Sequence, residues 1–317
     1  MLSKLEDEAA RVIRTAIRDE TLPAYPSTPQ TNLTLFTLVQ AARTRAAADE
    51  TNAMADVFAK LILKDVPHLG EHLDKIEVCV TNAPLYGLGI AAESFIHAAD
   101  LRYKLLCNRT AHPFITSDNP AVLYNQFLEP RKRTGSNVGL AVKGLQIFLP
   151  LGPRHVLMYF DADVYTVGGR RLSSQRVEVA DPKDVRELNT LQAVNARETL
   201  FFNDAISPRE IEATASKAAK YRPPELAEAL VYRPAGGDPA RDGSLVRLYN
   251  PDVRTRLALS FVRLTPQAER YDLGDRVIHH RDPVFVMAYR RYKTAVREGR
   301  YRVGQFERFV ADLAGNG

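Results

Sequence analysis

The chain has 317 residues, of which 45% are hydrophobic and 26% charged, and its formal net charge is +5. These proportions are ordinary for a globular protein and exclude collagen-like and intrinsically disordered classes. No apolar run approaches the ~20 residues of a membrane span, and the charged N-terminal stretch lacks the apolar segment of a signal peptide. Two cysteines, Cys79 and Cys107, are too few for a disulfide framework. We therefore expect a soluble, cytoplasmic protein with reduced thiols.

The first hundred residues read mostly as helices. Apolar residues spaced three and four apart predict one helix over about 5–17 and a longer helical stretch over 33–63, broken near 48–52. Alternating apolar residues over 76–80 predict a short strand, and 83–99 is helical in pattern again.

After residue 100 the pattern changes to short apolar runs separated by Gly, Pro, Asn and Asp. This spacing is typical of a mostly antiparallel sheet. Asp181-Pro182 predicts the start of a helix, and Ser207-Pro-Arg-Glu210 fits a capping box for the next one. Late strands are expected over 245–249 and 257–264, and closing helices over 283–298 and 304–313.

Together these patterns predict an α+β fold, in which an N-terminal helical layer packs on a mostly antiparallel sheet. We expect residues 1–221 to form one domain, helical to residue 100 and rich in strands afterwards. Residues 222–317 are expected to form an Arg-rich C-terminal extension packed on the same core. From Arg241 to the end the net charge is +6, against +5 for the whole chain, and 14 of the 15 cations there are arginine.

A familiar metal motif is present but incomplete. His68-Leu-Gly-Glu71-His72 matches the H-x-x-E-H pattern, which places two imidazoles on one helical turn beside a general base. Gly70 weakens such a helix, and we find no third ligand downstream. A charged helix start is the alternative interpretation. We therefore predict no metal ligands, and the sequence leaves any cofactor unknown.

A more distinctive pattern begins with Gln40-Ala-Ala-Arg43-Thr44 and continues with Pro113-Phe-Ile-Thr-Ser-Asp-Asn-Pro120. Gln146-Ile-Phe-Leu-Pro-Leu-Gly-Pro153 and a segment bearing Asn189 and Asn195 follow. Over about residues 1–205 the chain resembles the bacterial family catalogued as domain of unknown function 4238. That family combines a Q-x-x-R-T helix, strands ending in T-S-D-N-P and P-L-x-P, and an asparagine-bearing helix.

The resemblance implies an architecture and no biochemistry. Members usually begin with an H-Y-V-P-type segment, which does not occur here, so we expect a shortened or divergent member. The residues that carry the resemblance are our candidate binding site: Gln40, Arg43, Thr116, Ser117, Asp118, Asn119, Asn189 and Asn195. Alternatively, Ser117 and Asp118 satisfy turn amides and need no ligand.

Two functions from different classes follow. In the first, the protein binds nucleic acid or another polyanion through a basic loop, Arg131-Lys132-Arg133, and a helical stripe of Arg290, Lys293 and Arg297. Interleaved tyrosines (Tyr289, Tyr292 and Tyr301) would stack on bases, although such residues more often belong to a core.

The second function is a hydrolase, for example a metal-dependent nuclease, centred on Asp118. A nuclease needs several carboxylates around its metal ions. In this hypothesis Arg43 pairs with Asp118, and Gln40 and Asn189 line the same pocket. The sequence predicts neither the substrate nor the oligomeric state.

Overall fold

The computed structural model describes residues 2–131, 137–169, 175–232, 245–251, 255–274, 278–302 and 305–315. Nine α-helices and eleven strands are assigned within these ranges. The helices are α1 (Leu2–Asp19), α2 (Thr28–Ala42), α3 (Arg45–Leu63), α4 (Ala83–Ser94), α5 (Pro182–Asn195), α6 (Pro208–Ala219), α7 (Pro266–Glu269), α8 (Pro283–Arg297) and α9 (Phe306–Gly315). None of the helices described here is long and apolar enough to cross a lipid bilayer.

The strands are short, and most of them lie in the middle of the chain. They are β1 (Arg102–Asn108), β2 (Thr116–Ser117), β3 (Val122–Tyr124), β4 (Gln146–Gly152), β5 (His155–Phe160), β6 (Tyr165–Val167), β7 (Arg176–Val179), β8 (Leu200–Phe201), β9 (Glu228–Tyr232), β10 (Leu245–Tyr249) and β11 (Val262–Leu264). Five of them form a sheet in the order β3-β4-β5-β1-β7. Only the β1–β7 pair in this sheet is parallel, so the predicted α+β fold with a mostly antiparallel sheet is confirmed.

Both faces of the five-stranded sheet are covered. On β5, Leu157 and Tyr159 point to one face and pack with Leu33 of α2 and Ala16 of α1. The alternate residues of the same strand point to the other face, where they join α5 and the segment around Leu257 in a second apolar cluster. The alternation follows from the two-residue period of a strand. Every residue of β5 is buried as a result.

Local signals set several helix ends. Asp181 caps α5, and Ser207 with Glu210 forms the predicted capping box of α6. The predicted break at 48–52 is wrong, because the long helical stretch divides at Arg43 and Thr44. The Thr44 hydroxyl accepts a hydrogen bond from the Ala47 amide at 3.1 Å and so begins α3 as its N-cap.

The predicted strand over 76–80 is also wrong. The backbone amides of this segment form hydrogen bonds with side chains of α3 and not with a neighbouring strand. The Val78 amide donates to Asp56 and the Val80 amide to Asn52, each at 3.0 Å. These carboxylate and carboxamide groups satisfy the backbone that a ladder would otherwise satisfy.

Part of the C-terminal region packs on the central sheet. The Tyr124 hydroxyl of β3 donates to the Thr255 carbonyl at 2.6 Å and accepts from the Leu257 amide at 3.0 Å. Arg281, whose side chain is 5% exposed, forms an ion pair with Asp100 at 2.8 Å. The boundary between residues 221 and 222 stays a prediction.

Candidate functional site

The T-S-D-N-P segment lies at the end of α5, where its polar groups bond to one another. Thr116 and Ser117 form β2, which pairs with β8. The Ser117 hydroxyl accepts hydrogen bonds from the Asn119 amide at 3.1 Å and from Gln192 Nε2 at 2.7 Å. Gln192 also donates to the Asn119 carbonyl at 3.1 Å. These bonds fix the turn against the helix.

Asp118 holds the loop that follows α5. Its Oδ1 accepts from the Arg197 amide at 2.9 Å, and its Oδ2 accepts from the amides of Glu198 at 2.8 Å and Thr199 at 3.2 Å. Both oxygens of this carboxylate are therefore engaged with backbone donors. In the hydrolase hypothesis drawn from the sequence, this carboxylate was the centre of the active site.

Asn189 forms two hydrogen bonds with the backbone of the extended segment before β2. Its Oδ1 accepts from the Ile115 amide and its Nδ2 donates to the Pro113 carbonyl, both at 3.0 Å. Asn189 is 8% exposed. The side chain replaces a strand partner for this segment, because it satisfies one backbone donor and one backbone acceptor that would otherwise be buried without partners.

Gln40 and Arg43 lie in a different environment. Arg43 Nε donates to Gln40 Oε1 at 3.0 Å, and the guanidinium forms an ion pair with Glu6 of α1. The predicted pair between Arg43 and Asp118 is wrong, since each group has other partners. The ion pair with Glu6 is exposed, which makes it weak.

Two asparagines of the predicted site border a cavity. Asn119 Nδ2 donates to the Asn195 carbonyl at 3.2 Å, and both residues line an opening of about 410 Å³. We call it the Glu50 cavity. Its wall consists of Leu38, Ala41, Ala42, Ala47, Glu50, Thr51, Met54, Gly87, Ile90, Ala91, Asn119, Ala121, Val122, Leu123, Tyr124, Asn125, Glu129, Asn137, Val138, Gly139, Leu140, Asn195, Asn250 and Pro251. Helices α2, α3 and α4 thus face β3 and the end of α5 across it.

Glu50 of α3 is one of two acids that line this cavity. Burial raises the pKa of its carboxyl to about 7, helped by the neighbouring Asp49 charge and opposed by Arg197. The carboxyl forms no hydrogen bond or ion pair with any other residue in the described part of the chain. Arg197 Nε instead donates to Asp49 at 2.7 Å. A carboxyl with such a pKa exchanges its proton near neutral pH.

The polar part of the wall is rich in hydrogen-bond acceptors. The Nδ2 groups of Asn195 and Asn250 donate to backbone carbonyls, at 2.9 Å and 2.8 Å. The Oδ1 atoms of these two residues and of Asn119 accept no hydrogen bond from the described residues. The lining residues include two acids, Glu50 and Glu129, and no Lys, Arg or His.

A second cavity, of about 370 Å³, lies beside α5 and the segment 256–264. Its buried carboxylate, Asp184, accepts from the Ser260 amide at 2.8 Å and from the Ser260 hydroxyl at 2.5 Å. This acid already has hydrogen-bond partners within the fold. The Glu50 cavity is the better candidate because the Glu50 carboxyl has no hydrogen-bond partner among the described residues.

The basic loop is described only in part. Arg131 donates to the Phe127 carbonyl and lies over the Phe127 ring, 4.2 Å from its centroid. Lys132 and Arg133 lie outside the described residues. Arg131 therefore has intramolecular partners, and its role in polyanion binding stays a prediction.

The C-terminal stripe is exposed, but its aromatic residues are not. Arg290 and Arg297 are exposed on α8, and Lys293 forms an ion pair with Glu93 of α4 at 2.7 Å. Tyr292 is 4% exposed and packs with Tyr289 in the aromatic cluster between α8 and α9. Tyr289 and Tyr301 are half-buried in the same cluster, so the three tyrosines pack in a core, which was the alternative interpretation.

By its fold the chain is an α+β protein, with a central sheet covered on both faces. An acid-bearing cavity lies between this sheet and the N-terminal helices. The chain belongs to the family described as protein of unknown function (DUF4238), whose pattern matches residues 1–205. The predicted resemblance is confirmed. Comparisons with curated proteins and with solved structures find no match.

Sequence reasoning missed Glu50. The residue lies in an Ala-rich helical stretch, Ala46-Ala-Ala-Asp-Glu50, where adjacent acids usually indicate a solvated face. The one signal was its place six residues after the Q-x-x-R-T motif. Its raised pKa depends on burial by α4 and β3, which spacing along the chain does not reveal.

Proposed function

We propose that the protein binds a small molecule in the Glu50 cavity and that Glu50 exchanges a proton with it. The observation that carries this proposal is a carboxyl with a pKa of about 7 in a largely apolar cavity, without a partner among the described residues. General acids and bases in enzymes are tuned to this range by burial. The volume, about 410 Å³, is in the range of metabolite pockets.

The lining indicates the chemistry of the ligand. Apolar residues from α2, α3 and α4 favour a mostly apolar body. The carboxamide oxygens and the Glu50 carboxyl favour a head that donates hydrogen bonds, namely an amine or a hydroxyl. An anionic head would meet two acids and no cation in the described wall, so phosphates and carboxylates are disfavoured.

Hydrolysis is the reaction class we propose, with Glu50 in place of Asp118 as the acid–base group. As a base, Glu50 would take a proton from water, and as an acid it would return that proton to the leaving group. Asp118 is less suited to this role because three backbone amides occupy its oxygens.

No observation favours nucleic acid as the ligand of this cavity. The exposed Arg290 and Arg297 support the earlier hypothesis of a polyanion on α8, but Lys293 is paired and Tyr292 is buried. A surface contact of this kind would be separate from the Glu50 cavity.

Three indole compounds with the same apolar body test the proposal: tryptamine, tryptophol and indole-3-propionate. Saturation-transfer NMR measures binding of each compound near neutral pH. We expect tryptamine and tryptophol to bind and indole-3-propionate not to bind. Because Glu50 is partly ionised near neutral pH, the cation tryptamine should bind more tightly than the neutral tryptophol, and Glu50→Gln should remove this difference.

Two methionine variants locate the binding. Met54→Trp fills the cavity and should abolish binding of tryptamine and tryptophol, whereas Met287→Trp on the exposed surface of α8 should leave it unchanged. Equal binding of the carboxylate, or binding that survives Met54→Trp in the folded protein, would contradict the proposal.

A further inference from the structure

A second group of chemically reactive side chains lies where the end of α1 meets β1 and β5. Glu20, Cys107 and His155 each offer one ligand atom, and these atoms all lie within 4.8 Å of one another. Cys107 and His155 are directly opposite each other on the antiparallel pair β1–β5, which places both side chains on the same face of the sheet. Glu20 Oε1 is 3.3 Å from His155 Nε2.

We propose that Glu20, Cys107 and His155 form a zinc-binding site. A thiolate, an imidazole and a carboxylate are the ligand types that Zn²⁺ takes in proteins. Tetrahedral zinc has bonds of about 2.0–2.3 Å, which places its ligand atoms about 3.5 Å apart. The three groups need only small side-chain movements to reach that arrangement, and a fourth position stays open for water.

Burial supports a built site. Cys107 is fully buried, and the side chains of His155 and Glu20 are 10% and 18% exposed. Cys79, by contrast, is exposed. A closed environment of this kind protects a thiolate ligand from solvent, whereas a scattered surface cluster does not.

The backbone of Glu20 also needs an explanation. Its φ of 51° lies in the left-handed region, which is disfavoured for residues other than Gly, Asn and Asp. The carboxylate reaches His155, Arg109 and Arg176 from this position.

The neighbouring arginines do not make the site positive. Arg109 donates to Glu20 Oε1 at 2.8 Å, and Arg176 donates to Glu20 Oε2 at 3.1 Å. Both arginines also pair with Glu178, so two cations face two carboxylates. In this network the arginines orient the Glu20 carboxylate as outer partners of a metal ligand do.

Zinc binding would exchange one set of contacts for another. The contact between His155 Nε2 and Glu20 gives way to two bonds to the metal. His155 binds through Nε2 as the neutral imidazole, with its one ring proton on Nδ1, so the proton that Nε2 donated to Glu20 passes to solvent or is replaced by the Nδ1 tautomer. The Cys107 thiol loses its proton to solvent as the sulfur–zinc bond forms. No electrons are transferred, and no other reactant is needed.

The first experiment measures zinc binding by the full chain. After dialysis against EDTA, the protein competes with a chromophoric chelator for Zn²⁺. We expect one zinc per chain. Cys107→Ser and His155→Ala should each weaken zinc binding. Loss of an outer partner of a metal ligand lowers metal affinity by about 10–100-fold, and we expect loss of a ligand itself to lower it by more. Cys79→Ser and His112→Ala, at less buried positions, are the matched controls and should bind as the wild type does.

The second experiment keeps the test valid if a variant does not fold. Co²⁺ in the wild-type protein should give the visible bands of tetrahedral cobalt and a near-ultraviolet charge-transfer band from thiolate to metal. Absence of the thiolate band in the wild type would overturn the proposal. Failure to bind one equivalent, or equal binding by the folded Cys107→Ser variant, would also overturn it.

Discussion

Two polar regions meet at Asn119 and differ in how their groups are satisfied. In the T-S-D-N-P region, Asp118 and Asn189 bond to backbone amides and carbonyls of neighbouring segments. In the Glu50 cavity, Glu50 is half-buried, its carboxyl has no such partner among the described residues, and its pKa rises to about 7. A group with partners inside the fold stabilises the fold, whereas a group held in a cavity without them is available for chemistry.

The largest effect should come from Asn189→Ala. The change leaves the Ile115 amide and the Pro113 carbonyl buried without partners, and each such group costs about 1–3 kcal/mol. We expect the free energy of unfolding to fall by about 3–4 kcal/mol, measured by urea denaturation. Asn195→Ala, which removes one bond at the rim of the cavity, should cost less. A reversed order would show that the two regions do not differ in this way.

Glu50→Gln should act in the opposite direction at high pH. The pKa of Glu50 is about 7 in the folded chain and 4.5 in the reference state, so the folded state holds more protons between these values. Its contribution to stability is therefore greatest below pH 4.5, falls as the pH rises to 7, and is constant above. Because glutamine resembles the protonated acid, the variant should gain up to roughly 3 kcal/mol at pH 8.

Urea denaturation at pH 5 and pH 8 measures this difference between wild type and Glu50→Gln. Glu71→Gln, at an exposed position, is the control and should show no such change with pH. If Glu50→Gln were equally destabilised at both values, the carboxyl would be a structural partner like Asp118.

Asp118→Asn should have a smaller effect. The carboxamide keeps one acceptor for the loop at 197–199 and loses the other, and these bonds are close to solvent. We expect the free energy of unfolding to fall by about 1–2 kcal/mol. The control is Asp204→Asn at an exposed position, which should cause a smaller fall. In the indole binding assay Asp118→Asn should match the wild type. A loss of binding without a loss of stability would return Asp118 to the candidate site.

The smallest effect belongs to Lys293→Ala. The pair with Glu93 joins α8 to α4, but the Lys293 side chain is 41% exposed. Exposed pairs contribute at most about 1 kcal/mol. Thermal denaturation at low and high salt should therefore show a small difference that shrinks as salt is added. A difference that does not change with salt would mean that packing, and not charge, holds this contact.

What the sequence predicted well was local. The cap at Ser207 depends on Glu210, three residues away, and the cap at Asp181 depends on the next two residues. The strand predicted over 76–80 failed because the amides of Val78 and Val80 bond to Asp56 and Asn52 of α3, which lie 22 and 28 residues earlier in the chain. An alternating pattern describes side chains and does not identify a partner for the backbone.

The candidate site was predicted only at its border. Asn119 and Asn195 line the cavity, as members of the motif that carried the resemblance. Arg43 was expected to face Asp118, but Glu6 of α1 is its partner, and no spacing rule relates residue 6 to residue 43. Glu50 was missed for the same reason, because its pKa depends on segments that are distant in sequence.

The order of strands in the sheet has a consequence for how the chain folds. β4 and β5 are joined by two residues, so this hairpin can form as soon as it leaves the ribosome. β1 is made earlier but pairs with β5 and β7, which lie some fifty and seventy residues further along. During synthesis the apolar residues of β1 therefore stay unpaired until β5 and β7 have been made. A chain stalled before residue 160 exposes this strand, and we expect such fragments to aggregate unless a chaperone covers them.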